Sequence, residues 1–219
     1  KEESLQLSEQ ERARCLAILR QGIQSDDFWP AMHAAEALTL AGHGDEVIRQ
    51  LTPRLPAEQD DQRRCGLARE LVRAGDRSKA SVMLDILAKR DPHGHVHAAE
   101  SLYKVAEIGD GRLLRAALAN WKNPAGRLMA AAALERCGSP LALEHIRAQL
   151  KDDNEDVVRI AAWILARLGD ASDIPQLRSC TTAAENSLNR IFCQHALAAL
   201  GDPEGQRALR KNLRSKDDA

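Results

Sequence analysis

His33-Ala34-Ala35-Glu36-Ala37-Leu38 (HAAEAL) is the first of six related runs. It is followed by GLAREL (66–71), HAAESL (97–102), MAAAAL (129–134), IAAWIL (160–165) and FCQHAL (192–197). Their leading residues, His33, Gly66, His97, Met129, Ile160 and Phe192, stand 31 to 33 residues apart. A fixed period of this size marks a repeat array. Five copies run on to a glycine backed by an acid or serine: Gly75-Asp76, Gly109-Asp110, Gly138-Ser139, Gly169-Asp170 and Gly201-Asp202. The first copy stops at Gly42-His43-Gly44-Asp45.

Residues 154–182 show what one copy is. Asn154 or Asp156 can cap a helix, and acids there suit the helix dipole. Val157, Ile160, Ala161, Ile164 and Leu168 recur at helical steps and form one apolar stripe. Gly169 supplies a stop that tolerates positive φ. Asp170 or Ser172 can then cap a second helix whose apolar face is Ile174, Leu177 and Cys180. Each repeat is thus a helix, a tight turn and a second helix. Neither helix buries its stripe alone, so stacked repeats share one long core. Ala pairs at 34–35, 98–99, 130–131 and 161–162 allow close helix packing.

Composition agrees. The chain has 219 residues, 44% of them hydrophobic, yet only 3% are aromatic. Ala and Leu dominate and β-branched residues are sparse, which argues against sheets. A net charge of −1 gives the chain no general nucleic-acid or membrane signature. Cys15, Cys65, Cys137, Cys180 and Cys193 form no CxxC pair and read as small buried hydrophobes. No run approaches the ~20 apolar residues of a membrane helix, and no signal peptide is read. The chain begins at Lys1, so its compartment stays open: cytoplasm, or export after processing.

The expectation is a single domain over 1–219, with repeats at about 28–58, 59–91, 92–122, 123–153, 154–188 and 189–214. Residues 8–24 read as an N-terminal capping helix opened by a Ser8–Glu11 capping box. Residues 183–188 lengthen one connection, and 215–219 should fray.

The pattern x-A-A-x-A-L-x-x-x-G-D, followed by a second Leu-rich helix, resembles HEAT repeats over about residues 28–214. It looks closest to the short phycobilisome-lyase HEAT-like type. The resemblance implies an all-α right-handed α-α superhelix of the armadillo type. It implies several possible roles: protein-binding scaffold, bilin lyase subunit, DNA glycosylase or iron-dependent hydroxylase.

One segment carries candidate chemistry. In Asp91-Pro92-His93-Gly94-His95-Val96-His97-Ala98-Ala99-Glu100, a helix starting near Pro92 puts His93, His97 and Glu100 on one face. Two imidazoles and a carboxylate can hold Zn²⁺ or Fe²⁺ with open positions. His33 and Glu36 match His97 and Glu100 in register, with Trp29 where His93 would stand. This resembles the deoxyhypusine hydroxylase, which uses adjacent His-Glu pairs in both halves. Here two alanines separate each pair, and packed helices lie ~8–10 Å apart, so packing explains these residues better. Each His-Glu pair at i, i+3 can bond locally.

The predicted second helices carry a net positive charge. The resemblance makes them the lining of a concave groove, with Arg49, Arg54, Lys79, Lys89, Arg112, Arg115, Lys122, Arg147 and Arg178 as candidates. Trp121 beside Lys122 is a candidate anchor, and Trp163 reads as core. No nucleophile–base pair or phosphate loop stands out. The reading that follows is a non-catalytic module without cofactor, binding a protein partner or a fused domain of its parent chain. The alternatives are a Zn or Fe enzyme on His93, His97 and Glu100, with His33 and Glu36, or a phosphate-backbone binder using the basic second helices.

Overall fold

The computed structural model describes residues 7–139, 142–183 and 187–214. Positions 184–186 of the lengthened connection, and the 215–219 end, lie outside these. Among the described residues are thirteen α-helices and no strand. In chain order they are α1 (Glu9–Gly22), α2 (Phe28–Leu40), α3 (Gly44–Leu51), α4 (Asp61–Ala74), α5 (Ala80–Ala88), α6 (His95–Val105), α7 (Arg112–Asn120), α8 (Pro124–Arg136), α9 (Ala142–Ala148), α10 (Glu155–Leu168), α11 (Ile174–Ala183), α12 (Ser187–Ala199) and α13 (Pro203–Asn212). The chain forms two compact units, Lys1–Val105 and Ala106–Ala219.

In the first unit α4 packs between α2 and α6, α3 lies on α2 and α4, α5 lies on α4 and α6, and α1 lies on α2. In the second unit α10 packs between α8 and α12, with α7 on α8, α9 on α8 and α10, and α11 and α13 on α12. The first helices of the repeats therefore form the central layer in each unit. Burial follows that placement. Every residue from Cys65 to Val72 of α4 is buried, whereas α3 buries only Val47 and Leu51. A helix with neighbours on both flanks keeps little of a one-sided stripe. Leu38, Leu51 and Leu71 are wholly buried, each worth about 2 kcal/mol of transfer free energy.

The helix starts follow their capping residues. Ser8 and Glu11 form the capping box at α1, and Asn154 accepts from the Asp156 amide at 2.9 Å to start α10. Asp170 opens the turn before α11, accepting from the Ser172 amide at 2.7 Å. The stops divide into two kinds. Gly75 ends α4 at φ 121°, a left-handed conformation that glycine adopts without a Cβ penalty. Gly169 was expected to do the same, but its φ is −76°. Its reason is space: a Cβ there would lie 2.6 Å from the Leu165 carbonyl oxygen and 2.7 Å from Oδ2 of Asp173.

Two expectations about burial need correcting. Cys65 and Cys193 are buried, but Cys15 and Cys137 are exposed. Trp163 is only half-buried, with the Arg167 guanidinium over its ring, 4.0 Å from the ring centroid. No described helix is long and apolar enough to cross a membrane.

Candidate functional site

The side chains with most chemistry in the first unit meet on α2, α4 and α6. Gly66 of α4 makes room for them. A Cβ at Gly66 would stand 3.0 Å from Cε1 of Phe28 and 3.3 Å from Cζ3 of Trp29. Without that atom the aromatics of α2 lie directly on α4. Phe28 meets Trp29 edge-on at 4.8 Å, and the Arg63 guanidinium sits 5.5 Å from the Phe28 centroid. Trp29 then reaches His97 of α6, with ring centroids 5.6 Å apart and planes 19° from parallel. Trp29 remains 39% exposed.

Beside this stack runs an ion network. Glu70 of α4 is fully buried, with Oε1 accepting from Nε of Arg69 at 2.6 Å and Oε2 paired to Arg73. Arg73 extends to Glu36 of α2 at 3.1 Å. Glu100 of α6 pairs with Lys104 at 2.8 Å. Such a charge is tolerated in a packed interior only when its partners are in place.

The segment singled out for metal chemistry is arranged differently from the sequence expectation. The helix begins at His95, not near Pro92, because residues 91–94 form a turn held by the His93 amide on the Asp91 carboxylate at 3.0 Å. Gly94 within that turn has no room for a Cβ, which would lie 2.7 Å from Ile86. His93 is consequently off the helix, and its Nε2 bonds Asp60 at 2.8 Å. His97 goes to Trp29 and Glu100 to Lys104. His33 lies 3.8 Å from Glu36, too long for a hydrogen bond. Among the described residues no three His, Cys, Asp or Glu side chains come together as metal donors.

The two histidines titrate in opposite senses. The hydrogen bond to Asp60 raises the His93 pKa above its ordinary value. Burial lowers that of His97, partly offset by Glu100, so its ring is neutral at pH 7. Burial also pushes the Cys65 thiol up to about 12, which leaves it inert.

The cations proposed from the second helices are mostly engaged. In the first unit Arg54 donates to the Ile23 carbonyl at 3.1 Å, Lys79 lies 3.5 Å from Asp76, and Lys89 bonds Asp61 at 2.6 Å. Arg49 is exposed. In the second unit Arg112 pairs with Asp110 at 2.6 Å, and Arg115 donates to the Asp110 carbonyl at 2.7 Å. Arg147 reaches the next repeat, bonding Asp173 at 2.6 Å and Asp170 at 3.3 Å. Arg178 likewise pairs with Asp202 one repeat on. Lys122 is exposed, and Trp121 is half-buried at the end of α7.

Residues 111–197, which hold α7 to α11 and most of α12, match the family model for HEAT repeats. This part of the chain is similar to HEAT repeats. The match is to HEAT repeats as such and does not extend to the phycobilisome-lyase type. HEAT repeats generally mediate protein interactions. An engineered protein solved as a crystal structure by the Northeast Structural Genomics Consortium is similar at 17% identity. That likeness covers 92% of this chain and 90% of the other, with a TM-score of 0.38. No curated protein matches.

Sequence reasoning missed Gly66, Arg69, Glu70 and Arg73 as one group. A signal was present. The fifth position of the six runs reads Ala37, Glu70, Ser101, Ala133, Ile164 and Ala196. Glu70 is the one charge in a column of small or apolar residues. Gly66 is likewise the one residue without a side chain in its own column.

Proposed function

We propose that this protein is a non-catalytic HEAT-repeat module that binds a protein partner, either a separate chain or another domain of its parent chain. The supporting observation is the Trp29–His97 stack. A large aromatic is held rigidly and left 39% exposed, at the edge of a network of paired charges. Interfaces combine such anchors with a polar rim. A Trp fixed before binding loses little conformational freedom when the partner arrives. The neutral His97 ring beneath it adds no charge to be desolvated.

The phosphate-backbone reading has less support. Most of its proposed cations are already paired with acids or carbonyls, so few are left to replace counterions.

The test is partner capture from an extract of the native source, followed by affinity measurement for the captured protein. Trp29→Ala should weaken binding by about 30-fold, corresponding to a hot-spot loss of about 2 kcal/mol. Circular dichroism of the variant should be unchanged. A well-folded Trp29→Ala protein with undiminished affinity would overturn this assignment of the surface.

A further inference from the structure

The second unit holds a pair of thiols that the binding role does not use. Cys180 of α11 and Cys193 of α12 bring their Sγ atoms to 2.8 Å. α11 and α12 pack directly on each other, so the approach joins two neighbouring helices. Sulfur atoms at this distance are inside ordinary van der Waals contact and need only a small shift to bond. The two thiols are unequal in access. Cys180 is half-exposed, while Cys193 is wholly buried.

We propose that Cys180 and Cys193 form a reversible disulfide by exchange with a small-molecule disulfide such as oxidised glutathione, with Cys180 as the attacking thiol and Cys193 as the resolving one. The accessible Cys180 thiolate attacks one glutathione sulfur. A Cys180–glutathione bond forms, and the glutathione S–S bond breaks to release one glutathione thiolate. Cys193 then loses its proton to solvent or to that thiolate and attacks Sγ of Cys180. The protein disulfide forms and the second glutathione leaves. Two electrons pass from the thiol pair to glutathione, and two protons end on the two glutathione thiols.

The assignment of roles has a second support. The Cys193 thiol hydrogen-bonded to Cys180 lowers the Cys180 pKa against the opposing effect of burial. The same bond, together with burial, raises that of Cys193. The thiolate is the nucleophile, so the first attack falls to Cys180, the more accessible of the two. Cys65 is buried in the first unit, whereas Cys15 and Cys137 are exposed and open to glutathione themselves.

The experiment uses the full chain with Cys15→Ser and Cys137→Ser, which removes the exposed thiols. The protein is equilibrated with oxidised glutathione, quenched with acid, alkylated in denaturant and digested for mass spectrometry. The expected product is a peptide pair joined through Cys180 and Cys193, with the intact mass lower by two hydrogens. Dithiothreitol should reverse it. Adding Cys193→Ser should instead trap one glutathione on Cys180, since the resolving thiol is gone. Adding Cys180→Ser should leave Cys193 unmodified. A Cys193→Ser protein that takes up no glutathione would overturn the proposal. So would an otherwise folded parent whose Cys180 and Cys193 both remain alkylatable after oxidation.

Discussion

The guanidinium of Arg73 joins the buried carboxylate of Glu70 on its own helix to Glu36 on α2. It is therefore a tie between two repeats as well as a counterion. Removing one partner of a buried pair leaves the other charge desolvated, which typically costs 3–5 kcal/mol. Glu70 keeps Arg69, so Arg73→Met should cost about 3 kcal/mol, at the lower end of that range. Urea unfolding followed by circular dichroism checks this. A midpoint equal to wild type would show that Arg69 alone suffices.

Gly66→Ala sets two effects against each other. Alanine gains about 1 kcal/mol of helix propensity over glycine. The new Cβ meets Phe28 at 3.0 Å and Trp29 at 3.3 Å, and overpacking of this kind costs about 1–3 kcal/mol. The net stability change is small and unfavourable. The clearer readout is Trp29 emission, measured with Trp121→Phe and Trp163→Phe in place. The ring should be displaced from His97, and its emission should shift toward that of solvent-exposed Trp.

His93 and His97, in one short segment, should titrate on opposite sides of the ordinary histidine value, as read by proton NMR. His93 has the raised pKa, so its contribution to stability is fully present below the unfolded pKa and is lost as pH rises through the folded one. His97 has the lowered pKa, so the unfolded chain binds more protons and stability falls as the solution is acidified through that range. Asp60→Asn should lower the His93 pKa toward the ordinary value, and should lower that of His97 only slightly, since the Asp60 charge raises it less than burial depresses it.

Arg147 and Arg112 test how burial scales an ion pair. Arg147 meets the buried Asp173 across a repeat boundary, whereas the Arg112 side chain is 83% exposed beside Asp110. Arg147→Met should cost at least about 2 kcal/mol because Asp173 is left without its cation. Arg112→Met should stay within about 0.5 kcal/mol of wild type. Equal effects in chemical unfolding would contradict this ranking.

The repeat was legible because its determinants are local. Ser8, Asn154 and Asp170 cap where the sequence says, and the first-helix runs fall on helices. What escaped depended on neighbours. Gly169 is spelled like the other glycine stops, yet it answers to Leu165 and Asp173 and not to its own φ. His93 and His97 share a helical spacing, but the Asp91–Gly94 turn puts only one of them on the helix. The positive charge of the second helices was countable, but its pairing was not. Asp173 and Asp202, which engage Arg147 and Arg178, come from the following repeat.

The reach of Trp29 across Gly66 has a consequence for modularity. In an ideal solenoid each repeat touches only the next, and stability is a sum of nearest-neighbour terms. Trp29 belongs to the first repeat and His97 to the third. Their contact is a next-nearest-neighbour coupling that passes over the second. The middle repeat therefore acts as a spacer whose missing side chain is part of its specification. Exchanging it for another copy from the same chain would place Met129, Ile160 or Phe192 where Gly66 stands. The two outer repeats would then be severed by a residue that belongs to neither.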